Sequence, residues 1–92
     1  MQNIITLTYE FIATFVVLVG IYYAGKDLGI NSFLGIGILV AGAVIIGAHV
    51  NPAVTGMFML TNQVPINSIY TRIIPQILAM LGAAWTISKL NN

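Results

Sequence analysis

Long apolar stretches that carry almost no charge constrain the fold of this chain more than any other feature. The first covers residues 4–23, and a helix of that length spans about 30 Å, the thickness of the hydrocarbon core of a bilayer. Of the 92 residues, 59% are hydrophobic and 5% are charged, whereas soluble domains are about 25% charged. The sequence therefore predicts an integral, multi-pass membrane protein.

The small number of charged residues and the lack of cysteine exclude several classes of function. A formal net charge of +1 provides no basic face for nucleic acid. Without cysteine the chain can form neither a disulfide nor a thiolate metal site. One histidine and two carboxylates supply no catalytic dyad and no metal-ligand spacing. We therefore expect no enzymatic activity, no metal, no cofactor and no nucleic-acid partner.

Two further apolar stretches complete the outline of an all-α protein. Residues 29–46 are rich in Gly and Ala, which let helices approach closely in lipid. Residues 68–90 form the third stretch, and Pro75 is expected to kink it near its start. Trp85 and Lys89 lie near its end, where interfacial anchors belong. The pattern predicts three transmembrane helices.

Between the second and third stretches lies a helix that is too short to cross a membrane. Pro52 suits the first helical position, and Pro52–Leu60 spans only about 14 Å. Irregular backbone at membrane depth persists only inside protein or around a water-filled cavity. Asn51 is the predicted N-cap. Its amide and the positive end of the helix would both face such a water-filled cavity. The alternative is an ordinary Asn-Pro helix start, as in soluble proteins.

Three short motifs follow one another along the chain. Residues 10–15 read EFIATF with Gly20 behind them, residues 47–55 read GAHVNPAVT, and residues 74–79 read IPQILA. In the same order they resemble the EFxxTF, GAHxNPAVT and YxxAQxxGA patterns of the aquaporin and glycerol-facilitator family, with Pro75 where alanine is usual. The resemblance covers essentially all of residues 1–92. It implies one half of the family's fold, namely three transmembrane helices plus one re-entrant half-helix over residues 52–60.

The resemblance also implies roles for individual residues. The NPA sequence would meet its counterpart at the bilayer centre, and Asn51 would donate to a passing solute oxygen. Four backbone carbonyls would lead to that point. The NPA residues are Asn51, Pro52 and Ala53, and the carbonyls are those of Gly47, Ala48, His49 and Val50. A structural role is favoured for His49, with a proton relay or a metal ligand as the alternative.

Selectivity and support of the loop are implied by the same resemblance. The expected constriction is formed by Val54, Ala48 and Leu34. In the family an Arg directly follows the second NPA motif, whereas here Val54 follows the NPA sequence. Without that Arg we expect a permissive pore that passes water, glycerol, urea or ammonia. Glu10 and Gln76 are expected to hold the loop before the half-helix by accepting from backbone N–H groups near residues 47–49, because a carboxylate inside an apolar span needs a partner.

A single half-helix leaves its polar end without a counterpart, which costs several kcal/mol in lipid. We expect an inverted second copy to complete the pore, giving an antiparallel homodimer and, with four such dimers, the tetrameric assembly usual for the family. Family-like topology places the N-terminus and Arg72 on one side and Lys26 and Lys89 on the other, so no positive-inside bias opposes dual orientation.

Three alternatives remain open. The chain could be a non-conducting half that associates with a full-length aquaporin and modulates it. A separate chain could supply the complementary half. The chain could also be a small proton-coupled exporter that uses Glu10, because small dimeric exporters rely on one Glu in the first span.

Overall fold

Every regular element in the described part of the chain is a helix. The computed structural model describes the backbone of residues 2–27, 30–45 and 47–91, and the side chains of residues 3–23, 34, 35, 37, 38, 40–45 and 47–91. The elements are α1 (Gln2–Asp27), α2 (Ile30–Ile45), α3 (Pro52–Leu60), a π-helical turn (Ile69–Ile73) and α4 (Ile74–Leu90). The predicted all-helical class is confirmed.

Two helical segments are long and apolar enough to cross a membrane. They are Asn3–Tyr23, within α1, and Ile69–Leu90, which joins the π turn to α4. Helix α2 has 16 residues and therefore spans about 24 Å. The predicted second span extends over residues 29 and 46, which lie outside the described residues, so a third transmembrane helix stays a prediction.

Polar side chains lie inside the molecule and large apolar side chains lie outside. Among the described residues, the buried polar side chains are Thr6, Glu10, Thr14, Thr55, Ser68 and Gln76, whereas the buried apolar side chains are those of small residues, namely Ala, Val and Pro75. Large side chains such as Ile38, Ile45 and Trp85 are more than half exposed. In water such a surface would drive association. Small residues between helices and apolar side chains outside are typical of proteins surrounded by lipid.

Helix α1 is the element on which the others pack. It contacts α2, the π turn and α4, and the Phe15 ring lies 3.7 Å from the place that a Cβ of Gly82 would take. Asn91 Nδ2 donates to the Tyr22 hydroxyl at 2.6 Å, beyond the end of α4. Because α1 carries Glu10 in its first half, this packing places one carboxylate beside the π turn and α4.

The expected kink at Pro75 takes the form of the π turn, Ile69–Ile73, directly before α4. In a regular helix the ring of Pro75 would clash with the carbonyl of Thr71, and no N–H would bond that carbonyl. A wider π-helical turn moves the carbonyl away from the ring, as single π turns inside helices do. The π turn also carries Arg72.

Candidate functional site

The loop over residues 47–51 joins α2 to α3 in an unusual backbone conformation. Gly47 has φ of 86° and Val50 has φ of 66°. Glycine adopts positive φ freely, whereas a β-branched residue there is a true outlier that costs about 1–3 kcal/mol. Contacts from the surrounding protein must therefore hold Val50 in place.

Glu10 supplies two of those contacts. Its side chain is fully buried, Oε2 accepts from His49 N at 2.9 Å, and Oε1 accepts from Val50 N at 3.0 Å. The sequence predicted that Glu10 holds this loop, and the structure places its two oxygens on consecutive backbone donors. The strained residue is thus fixed by a carboxylate from α1.

Arg72 is the site residue that the sequence reasoning missed. Its guanidinium forms an ion pair with Glu10, donates to the Gly47 carbonyl at 2.9 Å and to the Tyr9 hydroxyl at 3.2 Å, and lies 5.7 Å from the Tyr9 ring centroid. Arg72 was considered only as a charge near one membrane face, whereas the structure pairs it with a buried carboxylate, which needs a countercharge. Arg72 stands four residues before Gln76, where the YxxAQ pattern has Tyr, and this departure was the available signal.

Gln76, Thr55 and His49 continue the network. Gln76 Nε2 donates to Thr55 Oγ1 at 3.1 Å and to Glu10 Oε1 at 3.3 Å. Gln76 therefore supports the loop through Glu10 and Thr55, and not through the backbone as expected. His49 Nδ1 lies 2.9 Å from Thr55 Oγ1, and its ring stacks on Phe58 with centroids 5.0 Å apart. These contacts favour a structural role for His49.

Asn51 caps α3 as the sequence predicts. Its Oδ1 accepts from Ala53 N at 2.8 Å, and Pro52 occupies the first helical position. Asn51, Pro52 and Ala53 are all exposed. Because the cap uses the oxygen of the amide, and no described group accepts from Nδ2, the Nδ2 group remains a hydrogen-bond donor for a ligand.

A groove of about 520 Å³ runs along the loop and the start of α3. Its lining is Val17, Leu18, Ile21, Val40, Val44, Gly47, Ala48, His49, Val50, Asn51, Val54 and Phe58. Six of the predicted pore residues belong to this set. Leu34 does not: its side chain is 62% exposed, and it precedes Val40 by about 9 Å along α2. Val40 and Val44 provide the α2 wall that Leu34 was expected to provide.

The carbonyls of the loop are not equivalent. The Gly47 carbonyl accepts from Arg72, so it is already occupied by a protein donor. Those of Ala48, His49 and Val50 accept from no donor in the described part of the chain. The expected ladder of four acceptors is therefore reduced to three.

The mostly apolar residues that line the groove thus include Asn51, with a free amide donor, and three residues with available backbone carbonyls. Such a set can exchange hydrogen bonds with a small neutral molecule, which needs both donors and acceptors. The two described charges nearest to it, those of Glu10 and Arg72, are paired with each other. No protein-family model, curated protein or solved structure matches this chain.

Proposed function

We propose that this chain forms a passive membrane channel for water and small neutral solutes such as glycerol, urea or ammonia. The observation that carries the proposal is the groove, whose mostly apolar lining includes Asn51, with its free Nδ2 group, and three residues whose carbonyls accept from no donor in the described part of the chain. A solute that gives and accepts hydrogen bonds there can shed its water without a charged partner. An ion finds no compensating charge on the groove surface.

The second wall of the pore must come from outside these 92 residues. We propose that a second, inverted copy supplies it, so that α1, α2 and α4 span the membrane and α3 enters it halfway as an NPA half-helix. Two Asn51 amides then face each other at the midplane. The positive ends of the two α3 helices repel protons and cations at that point. Four such dimers would give the assembly usual for aquaporins.

The proposed constriction lacks a fixed charge. Val54 lies on the groove wall, and an inverted dimer places one Val54 from each copy where the family resemblance leads one to expect an Arg. An apolar constriction offers few hydrogen bonds to any permeating molecule, so it does not favour water over other small neutral solutes. The proposed channel therefore passes small alcohols and amides as well as water.

Osmotic swelling of vesicles tests this proposal. Purified protein in liposomes, without any ion gradient, should speed volume change under both a sucrose gradient and a glycerol gradient relative to protein-free liposomes. Asn51→Ser keeps a good N-cap but removes the amide donor, so the flux should fall several-fold while the unfolding temperature stays close to that of the parent protein.

Two results would reject the channel. Liposomes with the parent protein that swell no faster than empty ones would contradict it directly. Flux that appears only when a full-length aquaporin is present would favour the non-conducting, modulating half instead. The exporter alternative has less support, because Glu10 is fully buried, bonded to two backbone donors and paired with Arg72.

A further inference from the structure

A buried ion pair lies directly behind the wall of the groove. The carboxylate of Glu10 accepts from the backbone N–H groups of His49 and Val50, and both residues line the groove. The guanidinium of Arg72 donates to the carbonyl of Gly47, which also lines it. Both charges are therefore one peptide group away from the proposed path.

These two charges compensate each other at close range. Among the described side chains Glu10 is the only acidic one, and its partner Arg72 is only 15% exposed. The other described basic side chain, Lys89, lies near the end of α4 over the Trp85 ring. Mobile ions screen a buried charge much less than an exposed one. Without Arg72, only the N–H dipoles of its other described hydrogen-bond donors would offset the negative field of Glu10 at the groove.

We propose that Arg72 determines the specificity of the channel, by cancelling the negative field of Glu10 at the groove and so keeping protons and monovalent cations out. This inference rests on the proposed function. Arg72 touches no solute, and it acts through Glu10 and the loop backbone as a positioning and charge-compensating residue. A passage beside one uncompensated carboxylate would instead concentrate cations, as clefts of a single sign do.

Variants that differ in charge separate this role from packing alone. R72Q leaves the site with one net negative charge, and E10Q leaves it with one net positive charge. The double variant E10Q/R72Q is neutral like the parent protein, although it loses the same ion pair. R72K loses the planar guanidinium but keeps the charge. R72M repeats the charge change of R72Q with a side chain that fills similar space.

The readout is the ratio of cation flux to water flux in the same liposomes. Water flux comes from osmotic swelling, and proton and potassium flux come from an internal pH-sensitive dye and from a potassium electrode. We expect R72Q and R72M to raise the ratio about tenfold or more. R72K, E10Q and the double variant should stay at or below the ratio of the parent protein.

Several outcomes would overturn the inference. If R72Q and R72M both keep the parental ratio, the charge of Arg72 does not govern selectivity. If the double variant or E10Q leaks as much as R72Q, loosened packing and not charge opens the path. If R72Q does not reconstitute, R72M decides by the same criterion. Failure of the proposed function is distinct, because the parent protein itself would then pass neither water nor glycerol.

Discussion

Thr55 and Thr14 are two buried threonines with opposite hydrogen-bonding environments. Thr55 Oγ1 contacts both His49 Nδ1 and Gln76 Nε2, and so joins the loop, α3 and α4. Thr14 Oγ1 is buried without a partner among the described residues. A buried polar group stabilises a fold only where its hydrogen bonds are made. The two residues therefore form a matched pair for mutagenesis.

We expect Thr55→Val to lower the free energy of unfolding by about 1–3 kcal/mol, because it removes one hydrogen bond of the buried Gln76 amide and the partner of His49 Nδ1. Thr14→Val should leave stability unchanged or raise it slightly, since it removes an unsatisfied hydroxyl. Thermal unfolding in detergent micelles measures both. Equal losses for the two variants would contradict the network described for Thr55.

The sequence predicts those site residues whose role can be recognised from their immediate neighbours in the chain. Asn51 stands next to Pro52, and Glu10 interrupts an apolar stretch, so short patterns identify both. Arg72 and Thr55 act on partners far away in sequence: Arg72 lies 62 positions from Glu10. No spacing rule connects such positions. The packing of α1 against the π turn brings Arg72 to Glu10, and the position of α4 brings Gln76 to Thr55.

At the scale of elements, the loop and α3 depend on two glycines in different ways. Gly47 has positive φ, and the nearest atom to an added Cβ would be the Tyr9 hydroxyl oxygen at 3.8 Å, an ordinary contact. Gly56 lies within α3 and would meet nothing within 4 Å. Within the described part of the chain, an alanine at Gly47 is thus opposed by its backbone conformation alone, and an alanine at Gly56 meets no close neighbour.

Gly47→Ala should destabilise the protein by about 1–2 kcal/mol, because an L-residue is strained in the left-handed region. Gly56→Ala should stabilise it by about 0.5–1 kcal/mol by restricting the unfolded chain. Unfolding temperatures of the two variants provide the comparison. A destabilising Gly56→Ala would indicate that another chain packs closely against α3 at this point.

Elements with clear local boundaries were predicted best. The bounds of α3, Pro52–Leu60, are those expected from the capping Asn51, the proline and the polar loop that follows. The π turn was not predicted, since Pro75 signals a distortion but does not say which backbone form relieves it. Gln76 was assigned to the correct neighbourhood but to the wrong partners, because its reach depends on where the π turn places α4.

At the scale of the whole molecule, an apolar exterior encloses a polar network. Leu60 is 87% exposed and Ile66 is 76% exposed, while Glu10 and Gln76 are buried. The proposed inverted dimer adds a specific expectation to this arrangement. The N-terminal ends of two α3 helices meet near a two-fold axis, and their C-terminal ends point away from each other.

Single introduced cysteines test that geometry, because the chain contains no cysteine of its own that could form a competing disulfide. Ala53→Cys lies at the start of α3 and should give disulfide-linked dimers on oxidation in membranes. Leu60→Cys lies about 11 Å further along the helix in each copy and should not, since a disulfide needs Cα atoms within about 7 Å. A crosslink at Leu60 but not at Ala53 would contradict the inverted arrangement.

The separation of Glu10 from Arg72 also has a consequence for biosynthesis. With 62 positions between them, Glu10 leaves the ribosome roughly 3–12 s before its partner at about 5–20 residues per second. During that interval α1 holds a carboxylate that a lipid environment disfavours. In the proposed membrane protein, the insertion machinery would have to keep this segment hydrated or bound until Arg72 follows, so α1 would complete its integration only after α4 has been made.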